Sequence, residues 1–477
     1  MRRLSDATLA GLPAGTLRPG YDRAAVRTGV VHLGVGAFHR AHQAVVFDAL
    51  IRAGDPRWGI LGASLRSPTV AEQLNPQDGL YTVTVRDGAA ERTRVIGAGR
   101  GVLVAPQDPA RLVAAMAEAD VHLVTLTVTE KGYLPDDTED VAAPRTAPGF
   151  IVAALAARRA GGLKPFTALS CDNLPSNGRR LAAAVLALAR RHDPHLADWI
   201  EAEGAFPETM VDRIVPATTE VDIDDLAARL GVRDEAMVKT EPFLQWVVED
   251  RFAGVRPDLA SAGAQITPHV APWEDAKLRL LNGAHSTIAY LGGLAGVEFV
   301  HQFVARPAGA ALVERLWDEA ASTLDPPPGL DIPAYRTALM ARFANPALQH
   351  RTRQIAMDGS QKLPQRLLAS IAVRLERDQS IETLGLAVAA WMRWQGGRDD
   401  AGQPFMVDDP LAATSTRLYA DAASPADKVR ALLGIEAIFP PKLAADARLV
   451  EVLNRKLTRL IARGAEAALA EGQGAKA

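Results

Sequence analysis

An α/β amino-terminal half followed by a mainly α-helical carboxyl-terminal half is what the sequence predicts, on three observations. A β-branched run at 30–33 leads through Gly34-Val35-Gly36 into a helical stretch. That strand, turn and helix is the opening of a Rossmann-like dinucleotide-binding unit. Short apolar runs then alternate with Ala- and Leu-rich stretches up to about residue 222, after which long Ala/Leu/Arg segments dominate. At 477 residues the chain exceeds one ordinary core, so two domains are expected, 1–222 and 223–477, with a loosely marked boundary.

Residues 1–28 read as a polar lead-in, and 41–53 as the first helix. The third glycine of G-x-G-x-x-G falls on His39, so the fingerprint is partial, and a tight turn in another α/β protein is the competing reading. The next strand, 58–65, ends at Arg66-Ser67-Pro68-Thr69. An acidic residue that would hold a ribose diol is missing there, and Arg66 is basic. Either the ribose is held otherwise, or a 2′-phosphate is accommodated.

Residues 81–86 alternate like a half-exposed strand, and 108–120 read as a helix. The run 122–128, H-L-V-T-L-T-V, is a buried strand. Thr129-Glu130-Lys131-Gly132-Tyr133 follows at its carboxyl end, where open α/β sheets bind ligands. A Pro- and acid-rich loop at 136–148, a helix at 150–160 and a strand at 166–170 come next. That strand runs into C-D-N-L-P-S-N-G, and a helix at 179–190 follows. The short strand 210–216 carries Asp212-Arg213, either a structural ion pair or two site groups. Helices are expected at 310–322, 333–343, 361–377, 380–394, 425–433 and 447–473, with a frayed tail at 472–477.

Net charge is −3 and no basic stripe appears, so nucleic-acid binding lacks its electrostatic driver. The single cysteine, Cys171, leaves no internal disulfide and fits a reducing compartment. The start lacks a continuous apolar core of a signal, and no apolar run reaches the ~18 residues of a membrane span. A cytoplasmic protein without a membrane partner is expected. P-loop and G-x-S-x-G motifs are absent, which argues against triphosphate and hydrolase chemistry. His39 and His42 lack a third ligand, so no metal site is expected.

The stretch 273–290 puts Lys277, Asn282 and His285 on one apolar segment. At the helical 100° per residue these lie at about 0°, 140° and 80°, with Glu274 at about 60°. Polar groups among leucines must find partners or shift their ionisation. Two readings stand: a buried helix with a satisfied His and Asn, or a catalytic face. Lys277 and His285 are about 12 Å apart along an α-helix, so a shared substrate lies lengthwise or Gly283 loosens the helix. The segment falls near the junction of the two expected domains, a common place for ligand pockets.

Dehydrogenase chemistry without zinc suits these groups. Hydride transfer to a ketone leaves negative charge on oxygen, which must be stabilised and protonated. Lys277 can do both, Asn173 and Asn282 can donate to the same oxygen, and His285 and Asp212 can hold a hydroxyl-rich substrate or Lys277 itself.

The motifs G-V-G-A-F-H-R-A-H-Q (34–43), L-T-V-T-E-K-G-Y (126–133), S-C-D-N-L-P-S-N-G (170–178), M-V-D-R-I-V-P (210–216), E-P-F-x-Q-W-V (241–247) and K-x4-N-x2-H (277–285) resemble the mannitol dehydrogenase family, the polyol-specific long-chain dehydrogenases. The resemblance implies a zinc-independent, NAD(P)-dependent oxidoreductase acting on a polyol or sugar acid. It implies Lys277 as general acid/base, Asn173 and Asn282 as the oxyanion pair, His285 and Asp212 as site residues, and Glu274 as a gate for proton exchange. Cofactor contacts are expected from Gly34, Val35, Gly36, Ala37, Phe38, Arg66, Thr127, Thr129 and Glu130. The segment 353–366 is similar to the fructuronate reductase (mannonate oxidoreductase) branch. Mannitol dehydrogenases carry arginine where Gln354 stands and an apolar residue where Arg366 stands, while Lys362 is shared. Arg366 can pair a uronate carboxylate, or merely a neighbouring acid on its own helix. The expectation is D-mannonate/D-fructuronate chemistry with NAD, NADP remaining open, in a monomer or homodimer. D-mannitol/D-fructose chemistry is the near alternative and a non-catalytic dinucleotide sensor the distant one.

Overall fold

The computed structural model describes residues 1–133 and 138–470. The start of the 136–148 loop, the end of the 447–473 helix and the 472–477 tail lie outside the described residues. Two compact units divide the chain, Met1–Ala271 and Pro272–Ala477.

Among its described residues the first unit holds eleven strands: β1 (Thr28–Leu33), β2 (Gly59–Ser64), β3 (Tyr81–Asp87), β4 (Ala90–Ile96), β5 (Gly99–Val104), β6 (Leu123–Leu126), β7 (Thr167–Ser170), β8 (Thr209–Asp212), β9 (Val238–Thr240), β10 (Gln245–Glu249) and β11 (Gln265–Thr267). The main sheet has the order β5-β2-β1-β6-β7, every pair parallel. Val30, Val31 and Leu33 on β1 are fully buried, as a strand covered on both faces requires. The order reverses between β1 and β6, which makes the carboxyl end of β1 the topological switch point.

Two three-stranded sheets complete the unit, β4-β3-β9 and β11-β10-β8. They correct the expected division at 222. Strand β9 pairs with β3, β10 with β8 and β11 with β10, so the chain stays with the first unit through Ala271. The expected helix at 41–53 is also broken. It forms as Ala37–Ala41 and Gln43–Arg52, interrupted at His42.

The second unit is helical. Its axis is Gly283–Leu294, in which every residue is buried, the mark of an interior helix. Helices Pro307–Ala321, Glu382–Trp394 and Ala447–Ala470 pack around it. The expected helix at 361–377 forms in three pieces, an α-turn at Gly359–Leu363, a π-turn at Pro364–Leu368 and an α-helix at Ala369–Glu376. Pro364 explains the break, because it offers no N–H and crowds the carbonyl four residues back. No described helix is long and apolar enough to cross a membrane.

Candidate active site

Four loops meet along the carboxyl edge of the main sheet. The β1 turn runs Gly34-Val35-Gly36 and enters the helix Ala37–Ala41. Gly34 sits at φ +91°, and a Cβ there would lie 2.3 Å from the Thr127 carbonyl, so only glycine fits. Beside Gly36 a Cβ would meet nothing within 4 Å. An exposed turn at the switch point with open space on one side fits a dinucleotide pyrophosphate. Thr127 Oγ1 donates to the Gly34 carbonyl at 2.7 Å, tying the end of β6 to the turn. Val35 is buried, and Phe38 stacks on His42 at 4.9 Å. Arg66 is exposed after β2, and Thr129, Glu130 and Asn173 are exposed after β6 and β7. Where the fingerprint has its third glycine, His39 stacks on His32 with ring centroids 3.3 Å apart, so flat ring contact replaces close helix–strand approach. Asp212 is buried on β8, in a different sheet. Its neighbour Arg213 donates to the carbonyls of Ala41 and Glu241, so Arg213 is a structural cation.

In the second unit the stretch around Lys277 is not one α-helix, which corrects the spacing expected from the sequence. Ala271–Ala276 is α, Lys277–Asn282 is a π-turn, and α resumes at Gly283. Hydrogen bonding from i to i+5 sets residues five apart roughly one turn above each other. Lys277 and Asn282 therefore come to one side instead of standing about 140° apart, and His285 follows three residues later on the same side. Trp317 Nε1 donates to the Leu280 carbonyl at 2.9 Å, giving a partner to an oxygen taken out of the α ladder. The π-turn at Pro364–Leu368 packs against this one: a Cβ on Gly283 would lie 2.9 Å from the Arg366 carbonyl.

Cations crowd this region. Lys277 and His285 are buried, each 7% exposed, while Glu274 and Asn282 are half-buried. The His285 ring lies 4.8 Å from Phe343 and 5.0 Å from His350, and its Nε2 has no hydrogen-bond partner. Burial, then His350, Arg342 and Arg366, hold its pKa well below the ordinary value, so the ring is neutral. Arg366 donates to Ser286 Oγ at 3.2 Å, and burial lowers its pKa to about 10. Among the described residues no carboxylate lies within 4.0 Å of it. Lys362 donates to the Met357 carbonyl and lies 3.8 Å from Asp358; burial first, and Arg366 second, lower its pKa. Gln354 is exposed on the short helix Thr352–Ile355, whereas Lys362 and Arg366 are half-buried. Residue patterns missed the flanking His350 and Arg342, and the clamp formed by Asp172 and Tyr133. Among the described residues no three His, Cys, Asp or Glu side chains gather as metal ligands.

A parallel sheet with its switch point beneath a glycine turn, joined to a helical unit of this kind, defines an NAD-dependent dehydrogenase acting on CH–OH groups. Residues 28–261 match the mannitol dehydrogenase Rossmann domain and 269–461 the mannitol dehydrogenase C-terminal domain, and the chain belongs to that family. The D-mannonate oxidoreductase of Escherichia coli K12 is 43% identical over 473 residues, covering 95% of this chain and 97% of that protein. The structure of Pseudomonas fluorescens mannitol 2-dehydrogenase in ternary complex with NAD and D-mannitol is 36% identical with a TM-score of 0.83, over 98% of this chain and 99% of that one. A substrate-free D-sorbitol dehydrogenase matches with a TM-score of 0.91 at 30% identity, over 98% of this chain and 100% of that one.

Proposed function

We propose that this dehydrogenase interconverts a sugar acid and its keto form, D-mannonate and D-fructuronate, with Lys277 as general acid/base. The observation that carries the reading is Arg366, a half-buried residue whose guanidinium has the Ser286 hydroxyl as its hydrogen-bond partner and no carboxylate beside it among the described residues. A buried cation without an anion is costly unless a ligand supplies one, and a planar guanidinium matches a carboxylate in two parallel hydrogen bonds. The 43% identity to the E. coli D-mannonate oxidoreductase supports the same substrate class.

NAD, when bound, carries the hydride. Gly34 to Phe38, Arg66, Thr127, Thr129 and Glu130 hold it. In reduction the carbonyl carbon gains the hydride and the Lys277 ammonium gives its proton to the oxygen. Asn173 and Asn282 donate to that oxygen as its charge develops. The neutral amine left on Lys277 is reprotonated from water, with Glu274, half-buried three residues earlier, as relay. His285, held neutral, offers Nε2 to a substrate hydroxyl, and Asp212 and Lys362 hold further hydroxyls. Gln354 leaves the far end of the substrate to Arg366. A free, buried Cys171 fits the reducing cytoplasm.

The test is NADH oxidation with D-fructuronate against D-fructose. Faster turnover of fructuronate is expected. Faster turnover of fructose would favour the mannitol reading, which the likeness to the mannitol-bound enzyme keeps in second place.

A further inference from the structure

Asp172 stands one residue before Asn173, at the end of β7, and is 8% exposed. Its Oδ1 accepts the main-chain N–H of Thr129 at 2.8 Å. Its Oδ2 accepts the N–H of Val128 at 3.1 Å and the hydroxyl of Tyr133 at 2.6 Å. Ser170 Oγ lies 2.6 Å from the same Tyr133 oxygen. One carboxylate thus bolts the loop after β6 to the loop after β7.

What it holds is strained. Thr129 sits at φ +67°, in the left-handed region that a β-branched residue seldom enters. Ser176, at φ +52°, is strained on the other loop. Such residues persist where the surroundings over-determine them, and they gather at functional sites. The main chain of Asp172 is fixed as well: its carbonyl accepts Asn177 Nδ2 at 3.0 Å and the N–H of Leu174 at 2.9 Å. Asn177 in turn accepts the N–H of Thr209 at 3.0 Å, anchoring the loop to β8. The side chain of Asp172 therefore sets Thr129, and its backbone sets the residue that follows, Asn173.

We infer that Asp172 is a positioning residue for hydride transfer, holding the Thr129 turn against the cofactor and Asn173 against the reacting oxygen. The inference rests on the cofactor and oxyanion roles proposed above for those two residues. Burial and the neighbouring Asp172 keep the Tyr133 hydroxyl protonated, so it serves as a standing donor to the clamp.

The test uses the full chain with Asp172→Asn and Tyr133→Phe. NADH affinity is read by fluorescence titration, kcat and KM with the keto substrate, the primary isotope effect with 4-deuterated NADH, and folding by thermal melt. In Asp172→Asn an NH2 group replaces one carboxylate oxygen, so one of the two main-chain N–H groups faces a donor. Its expected result is about a tenfold weaker NADH affinity and about a hundredfold lower kcat, the scale of a small misplacement. The isotope effect grows as hydride transfer becomes limiting. Tyr133→Phe moves the same readouts by about threefold. A folded Asp172→Asn with NADH affinity and kcat within about twofold of the parent overturns the inference. If Asp172→Asn does not fold, unchanged affinity and kcat in Tyr133→Phe overturn it. A parent enzyme that reduces neither fructuronate nor fructose sinks the substrate reading, while the NADH titration still decides the role of Asp172.

Discussion

Replacing Arg366 by methionine separates what the guanidinium does for a ligand from what it does to the fold. Burial lowers its pKa from the ordinary arginine value to about 10. At about 1.4 kcal/mol per unit, carrying that charge costs the folded state about 3 kcal/mol. The folded value lies below the unfolded one, so the unfolded chain binds more protons only from about pH 10 up to the ordinary arginine value. Stability rises with pH across that window, and at neutral pH the full cost is present. Methionine removes the charge, keeps much of the length and forfeits the Ser286 hydrogen bond, about 1 kcal/mol. The ligand-free variant should therefore gain about 1–2 kcal/mol and melt a few degrees higher.

Substrate binding moves the other way. Leaving a buried carboxylate without its cation costs about 3–5 kcal/mol, or about 10²–10⁴-fold in kcat/KM for fructuronate. Fructose, which has no carboxylate, should lose little. Melting curves without ligand and NADH oxidation with both sugars measure the two effects. A variant that melts lower and loses both substrates equally would refute the reasoning, because Arg366 would then be a structural cation.

Lys277→Ala should lower kcat by about 10³-fold or more while leaving NADH affinity intact; near-parental turnover removes the proton-transfer role. Gly283→Ala sets a Cβ 2.9 Å from the Arg366 carbonyl. A helix-propensity gain of about 1 kcal/mol offsets only part of that overlap, so stability should fall by about 1 kcal/mol while kcat/KM on fructuronate falls about tenfold; unaltered kinetics would uncouple the two π-turns. Burial holds His32 at about 3 and His39, His285 and His350 below their ordinary value. The unfolded chain binds the extra protons below about pH 6.5, so this stability is full above that value and is lost as pH falls, by about 1.4 kcal/mol per group and pH unit until the folded value is reached. Urea midpoints at about pH 5 and about pH 7.5 check the sign, and equal midpoints would contradict it.

The parts legible in the sequence are those where burial writes a residue pattern. β1 and β6 read as strands because parallel strands covered on both faces are continuous apolar runs. The Gly34 turn read correctly because left-handed backbone in tight contact selects glycine. β4 did not, since its half-exposed A-E-R-T-R-V-I carries charge at 91, 92 and 94, with no apolar alternation to mark a strand. β9 and β11 are three residues each, too short for a periodic signal, which is why the first unit seemed to end at 222. In the site, Lys277, Asn282 and His285 stood out as polar groups among leucines. Asp172 did not, because its partners include two main-chain N–H groups, and no side-chain pattern marks those.

The π-turn is where sequence arithmetic and function part company. Counting 100° per residue separates Lys277 from Asn282 by about 140°, which leaves the two groups proposed above to act on one oxygen on different faces. An extra residue in the turn removes that separation, and it does so at an energetic cost, since i→i+5 geometry is rare. The chain meets that cost with specific residues: Trp317 for the Leu280 carbonyl, Gly283 for close approach, and Pro364 to force a second π-turn opposite the first. A fold selected for stability alone would favour an unbroken α-helix through a segment this buried. Two adjoining irregular turns, one bearing Lys277 and the other Arg366, fit the proposed placement of two cations along one substrate. Single substitutions at Gly283 or Trp317, neither a charged group, should accordingly disturb kcat/KM more than their effect on unfolding would suggest.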